Sequence, residues 1–178
     1  EQVPWVHEAC TAFGVPIVTH KGVEADDVIG TLATRATADG LQVVLVTGDK
    51  DFFQLVNDQV QVFNPRDEGV WYDAAGVVEK FGVRPDQVVD VLALMGDSSD
   101  NVKGVPGIGE KGARELITTH ETLDRLLEAT AELTKKKYRT ALTEHADDAH
   151  QSRALVQIRT DVPVPYEPDR YRYQGADR

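Results

Sequence analysis

Apolar and polar positions change period repeatedly along the first half of the chain, and each change predicts an element. Pro4 to Phe13 gathers its apolar residues on one side of a short amphipathic helix, which Gly14 ends. Val15 to Thr19 follows as a strand. From Glu24 to Asp39 the spacing of Val28, Ile29, Leu32 and Ala36 predicts a second helix, stopped by Gly40. Leu41 to Thr47 is an almost unbroken run of β-formers, the pattern of a strand covered on both faces. Asp49 to Val56 predicts a short helix and Val60 to Phe63 another strand. This alternation points to an α/β layer built on a parallel sheet.

Beyond the turn-rich stretch Asn64 to Gly69 the character changes. A short strand, Val70 to Tyr72, leads into helical periodicity at about Asp73–Phe81, Asp86–Met95, Glu110–Thr118, Glu121–Glu128, Lys135–Glu144 and Asp147–Ile158. From Val162 onwards three prolines interrupt a stretch without periodicity, which reads as extended. The pattern thus divides the chain into an α/β core at 1–72, a helical domain at 73–164 and an extended tail at 165–178.

With 41% apolar and 28% charged residues, the chain has the composition of a globular protein. No apolar run approaches the ~20 residues of a membrane helix, and no signal peptide opens the chain, so a cytoplasmic, membrane-free monomer is expected. The single cysteine, Cys10, forms no internal disulfide and is expected to be buried among apolar neighbours. The net charge of −11 argues against nucleic acid on the simple rule that its binders are basic. That rule fails when the acids are gathered to hold cations, so their positions decide the matter.

Three acidic clusters stand out: Glu24, Asp26 and Asp27; Asp49 and Asp51; Asp97 and Asp100. Singly, each has a plainer reading, as first-turn acids, a helix cap or turn residues. Their placement argues for more. The first cluster follows the Val15–Thr19 strand after a short loop, and the second directly follows the Leu41–Thr47 strand. In open α/β sheets ligands bind beyond the carboxyl ends of the strands. Two carboxylates ~5 Å apart repel by roughly 3 kcal/mol at an effective dielectric near 20, so such a gathering takes up protons or cations. Oxygen donors without histidine or cysteine select hard ions, Mg²⁺ or Mn²⁺. The five histidines are scattered without zinc spacing, and no phosphate-binding P-loop is present. A carboxylate site holding two hard cations suits phosphodiester hydrolysis.

Gly104-Val105-Pro106-Gly107-Ile108-Gly109 opens directly into a helix at Glu110, with small residues Gly112 and Ala113 behind it. This is the pattern of a helix–hairpin–helix, whose backbone N–H groups take DNA phosphates without reading bases. Lys103, Lys111 and Arg114 add positive charge beside it. Lys135, Lys136, Lys137 and Arg139 form a further basic patch, either a solvated helix face or a second contact to duplex DNA.

Taken together, GVEADD (22–27), TGDKD (47–51), LMGDSSDN (94–101) and GVPGIGEK (104–111) resemble the 5′-nuclease family, with the match best to the exonuclease module of bacterial DNA polymerase I and its stand-alone relatives. The resemblance runs from about residue 1 to Val164. It implies a PIN-like nuclease core followed by a helical domain with a helix–hairpin–helix (H3TH) element. It also implies two or three divalent ions held by Glu24, Asp26, Asp27, Asp49, Asp51, Asp97 and Asp100, some through water. The hairpin, with Lys103, Gly104, Val105, Gly107, Ile108, Gly109, Lys111 and Arg114, would grip the duplex, with K⁺ at the turn. The implied substrate is double-stranded DNA with a 5′ flap or 5′ end, and RNA primers, in replication and repair.

The family pattern also includes an upstream strand ending in a metal-binding Asp and a basic helical arch, neither of which is in this sequence. With Glu1 first and Met95 the only methionine, the chain is expected to be a fragment, weakly active or inactive alone. A polymerase domain in the parent polypeptide fits the same resemblance. The alternative is a non-catalytic helix–hairpin–helix module that binds DNA.

Overall fold

The computed structural model describes residues 2–173 and 175–176. These described residues form two compact units, one drawn from the ranges 2–41 and 159–176, the other from 42–158.

In the first unit, α1 (Val3–Ala12) starts at a proline-bearing first turn and carries no buried residue. Trp5 is 69% exposed, and Cys10 is half-buried rather than enclosed, because its helix buries no face. Val15 to Thr19 forms no strand, contrary to the periodicity. An apolar run becomes a strand only with a ladder partner, and Pro16 removes one donor from this one. α2 (Ala25–Ala38) begins after Glu24, whose backbone is extended at the N-cap position, and places Asp26 and Asp27 in the first turn, where the helix dipole favours acids.

The small core of this unit joins Val28 of α2 to Val162 and Val164, with Val18, Val23 and Leu32 at its margin. The stretch after residue 161 is therefore packed rather than loose. Val162 donates its N–H to Thr31 Oγ1 at 3.1 Å, and Arg35 reaches the carbonyls of Val162 and Val164. The expected tail at 165–178 lies partly outside the described residues; up to Tyr173 it is extended and turning.

The second unit holds the sheet, in the order β1 (Val43–Val46), β2 (Val60–Asn64), β3 (Val70–Tyr72). β1 and β2 run parallel, with Val43 opposite Val60 and Val46 opposite Phe63. β2 and β3 run antiparallel, with Val62 opposite Tyr72, so the sheet is mixed. The turn between them uses Gly69 at φ +75°, a left-handed conformation that glycine adopts without strain. Leu45 is buried while Val44 and Val46 are exposed, so β1 is covered on one face, where the sequence suggested two.

A 3₁₀ helix, Lys50–Leu55, links β1 to β2 and sends Phe52 and Phe53 into the core. Phe53 packs on Tyr72 at 5.0 Å and on Phe81 at 6.2 Å between ring centres. Tyr72 is thus a core residue; Trp71 lies against Phe63 but stays 55% exposed.

α3 (Ala74–Phe81) is capped by Asp73, whose Oδ1 accepts from Gly76 N–H at 2.8 Å. The centre of the unit is α4 (Val88–Met95), apolar on nearly every side, with Val88, Val91, Leu92, Ala93 and Leu94 fully enclosed. It packs against α5 (Glu110–His120) and α8 (Ala146–Val156), with α6 (Leu123–Glu128) and α7 (Lys136–Glu144) completing the layer. Its one buried acid, Asp90, accepts the N–H of Leu123 at 2.8 Å and so caps α6 from outside.

Candidate metal centre

The site is built where β1 and α4 end. After Val46 the chain turns through Thr47, whose Oγ1 accepts the N–H of Asp49 at 3.0 Å; Asp49 Oδ1 in turn accepts the N–H of Asp51 at 2.9 Å. Asp49 is an exposed cap, whereas Asp51 is buried on the first turn of the 3₁₀ helix. Asp51 Oδ1 has no hydrogen-bond partner. Burial and the neighbouring charge of Asp49 push its carboxyl up to about 6 from an ordinary 3.8.

Below α4, Gly96 takes φ +74° and the chain doubles back, Asp97 pairing with Val102 through both backbone groups at 2.9 and 2.7 Å. Asp97 Oδ1 accepts Ser99 N–H at 2.7 Å and Oδ2 accepts from Lys50 Nζ. The Lys50 ammonium holds the Asp97 carboxyl below the usual aspartate range. The loop closes because Gly104 meets Gly96: a Cβ on Gly104 would lie 2.7 Å from Gly96 Cα, and one on Gly96 would lie 2.7 Å from the Val102 carbonyl. Side chains at either place are excluded by backbone.

Asp51, Asp97 and Asp100 each offer a carboxylate oxygen within 4.8 Å of the others. Asp97 and Asp100 border an open cleft of about 630 Å³ that is also lined by Asp49, Lys50 and Arg66. Three carboxylates with one buried, unpartnered oxygen and no nitrogen or sulfur donor fit a hard divalent cation. Of the seven acids expected from sequence, these three share one cluster and Asp49 lies beside it. Glu24, Asp26 and Asp27 belong to the other unit, at the start of α2, where Asp27 Oδ1 accepts Arg159 N–H at 2.8 Å. Lys50 and Arg66 were not singled out from the sequence; for Lys50 the available signal was a basic residue between two acids of one motif.

The hairpin of residues 104–109 forms as expected between α4 and α5. Val105 and Ile108 bury their side chains. Three of its amides are already engaged: Gly104 with Ser152 Oγ at 3.1 Å, Val105 with Leu94 O at 2.8 Å, and Ile108 with Val105 O at 3.0 Å. Gly107, at φ +90°, and Gly109 are exposed. Lys111 is exposed, Lys103 pairs with Asp148 at 2.8 Å, and Arg114 pairs with Glu110 at 2.5 Å while lying over the Phe81 ring. α7 closes on the hairpin: a Cβ at Gly112 would strike the Tyr138 hydroxyl at 2.6 Å, and one at Gly107 would touch Lys137 Cε at 3.4 Å. The basic run at 135–137 therefore adjoins the hairpin.

The fold and these loops define a known class. Residues 1–82 match the 5′-3′ exonuclease N-terminal resolvase-like domain and residues 83–178 the 5′-3′ exonuclease C-terminal SAM fold, and the chain belongs to the 5′-3′ exonuclease family. It is 40% identical over 182 residues to DNA polymerase I of Bacillus subtilis, covering all of this chain and 21% of that protein. To DNA polymerase I of Chloroflexus aurantiacus it is 43% identical over 179 residues, covering 97% of this chain and 19% of that protein. The chain thus spans about a fifth of these relatives. Among solved structures it resembles the T5 5′-exonuclease with bound zinc, with a TM-score of 0.80 and 26% identity over 89% of this chain and 58% of that one. The catalytic core of Rad2 in complex with DNA shares the fold at a TM-score of 0.55 and 16% identity, over 93% of this chain and 58% of that one.

Proposed function

We propose that this chain is the metal-binding and duplex-holding part of a structure-specific 5′→3′ exonuclease and flap endonuclease acting on DNA. The observation that carries the reading is the cluster of Asp51, Asp97 and Asp100, with its buried, unpartnered oxygen. Asp51, Asp97 and Asp100 would hold Mg²⁺ or Mn²⁺, with Asp49 ordering the Asp51 turn. Glu24, Asp26 and Asp27 are proposed as further ligands on the motif that carries them, and K⁺ at the hairpin on the family resemblance. When bound, hard divalent ions make water nucleophilic near neutral pH and neutralise charge on the phosphate and the leaving oxygen.

The residues of the chain do the rest. The carboxylates fix where cations sit and orient water by accepting its hydrogen bonds. Lys50 and Arg66 border the cleft with positive charge and would attract the phosphodiester into it. The exposed turn at Gly107 and Gly109, at the start of α5, would take backbone phosphates through its amides, with Lys111 and Lys137 beside it. This reading assigns a nuclease core to 1–72 and a duplex-holding helical domain to 73–164, the latter also contributing Asp97 and Asp100 to the metal centre. The parent polypeptide is proposed to be a cytoplasmic monomer in which a linked polymerase domain would extend one strand while this part trims the 5′ end of the next strand downstream. No described helix is long and apolar enough to cross a membrane.

A 5′-labelled flap duplex incubated with the chain and Mn²⁺ tests the proposal. Release of short 5′ fragments, abolished by EDTA and by Asp51→Asn or Asp97→Asn, is the expected result, at low turnover. Duplex binding that persists with no cleavage under any metal, even when the upstream region of a relative is supplied, would reduce the chain to a binding module.

A further inference from the structure

Both oxygens of Asp97 are engaged, one by Ser99 N–H and the other by the Lys50 ammonium, whereas Asp51 keeps an oxygen with no partner. The three acids are therefore not equally ready for a cation. The Lys50 side chain is 39% exposed and that of Asp97 only 4%, so the lysine has room to leave and the aspartate does not. A buried carboxylate without a counter-charge is strongly destabilising, and the Lys50 ammonium supplies that charge to Asp97. Its position in the motif, between Asp49 and Asp51, keeps it beside the cluster whichever way its stem points.

From this arrangement we propose that Lys50 is an internal counter-cation, whose ammonium holds Asp97 in the metal-free protein and is displaced when a divalent ion takes that carboxylate. The inference rests on the metal centre proposed above and adds a competitor to it. Entry of the ion exchanges one cationic partner of Asp97 for another, so the fold tolerates an empty site and the site fills only above a threshold set by the ion pair. The displaced ammonium stays in the cleft.

Mn²⁺ alone is the probe, followed by loss of the free-ion electron paramagnetic resonance signal as the chain is titrated. Lys50→Met is expected to tighten Mn²⁺ binding roughly tenfold, within the usual range of coupling between two binding events. The gain is expected to vanish when Asp97→Asn is also present, because the competition runs through that carboxylate. Unchanged or weaker binding by Lys50→Met overturns the inference, as does a gain that survives Asp97→Asn, which would mean a long-range charge effect. If the unaltered chain takes up no Mn²⁺, the metal centre itself falls and this inference with it; uptake without the Lys50→Met gain sinks the inference alone.

Discussion

Asp51 combines burial, a like-charged neighbour and an oxygen without a partner, and each of these favours its protonated form. With its folded-state value near 6 and its ordinary value at 3.8, the folded chain binds a proton there that the unfolded chain has released. Metal-free stability from this group is therefore present at low pH and is lost as pH rises through that window. Asp51→Asn removes the liability. In EDTA its melting temperature is expected to exceed that of the unaltered chain at about pH 7.5, the advantage fading by about pH 4. A constant difference across that range would show that Asp51 does not titrate as its surroundings dictate. Mn²⁺ binding should show the opposite slope, weakening as pH falls through about 6, because the ligand must lose its proton before it can hold the ion. Calorimetric titration at several pH values measures it.

Elements show how far the sequence could be read. The helices announced themselves by apolar period, and Asp73 and Glu24 marked starts that the structure keeps within a residue. Asp73→Ala should cost about 1 kcal/mol in urea unfolding, the usual worth of a side-chain cap. Val15–Thr19 read as a strand and is not one, since strand formation depends on a partner that local sequence does not encode. The acids of 49–51 and 97–100 were legible as motifs because their spacing is short. Their meeting, and the Lys50 bond that links them, depend on the approach of segments 47 residues apart in sequence. That these acids share ions was implied by the family resemblance alone, whereas the contact of Gly96 with Gly104 was hidden, although both glycines were in view. Gly104→Ala places a methyl against the backbone of Gly96 at a residue with φ +65°. It is expected to destabilise by about 4 kcal/mol, the range of backbone strain without relief, and a loss under about 1 kcal/mol in urea unfolding would contradict the contact.

At the scale of the molecule, a net charge of −11 coexists with a basic hairpin region, so any duplex must be held locally against a repulsive background. Affinity for a short duplex, followed by fluorescence anisotropy, should fall steeply with salt, and Lys137→Ala should reduce the logarithmic slope by about 1, one phosphate contact's worth. A slope indifferent to both changes would remove the hairpin from the interface. The Gly96–Gly104 contact has a last consequence. It joins the turn bearing Asp97 and Asp100 to the hairpin bearing Gly107 and Gly109, and Val105 N–H pins the junction to Leu94 at 2.8 Å. Under the proposed function, the loop that would grip a strand and the acids that would cut it are joined by this short backbone contact, which would work as a ruler. The position of the cut along the strand would then be set by the bond lengths that separate these two loops.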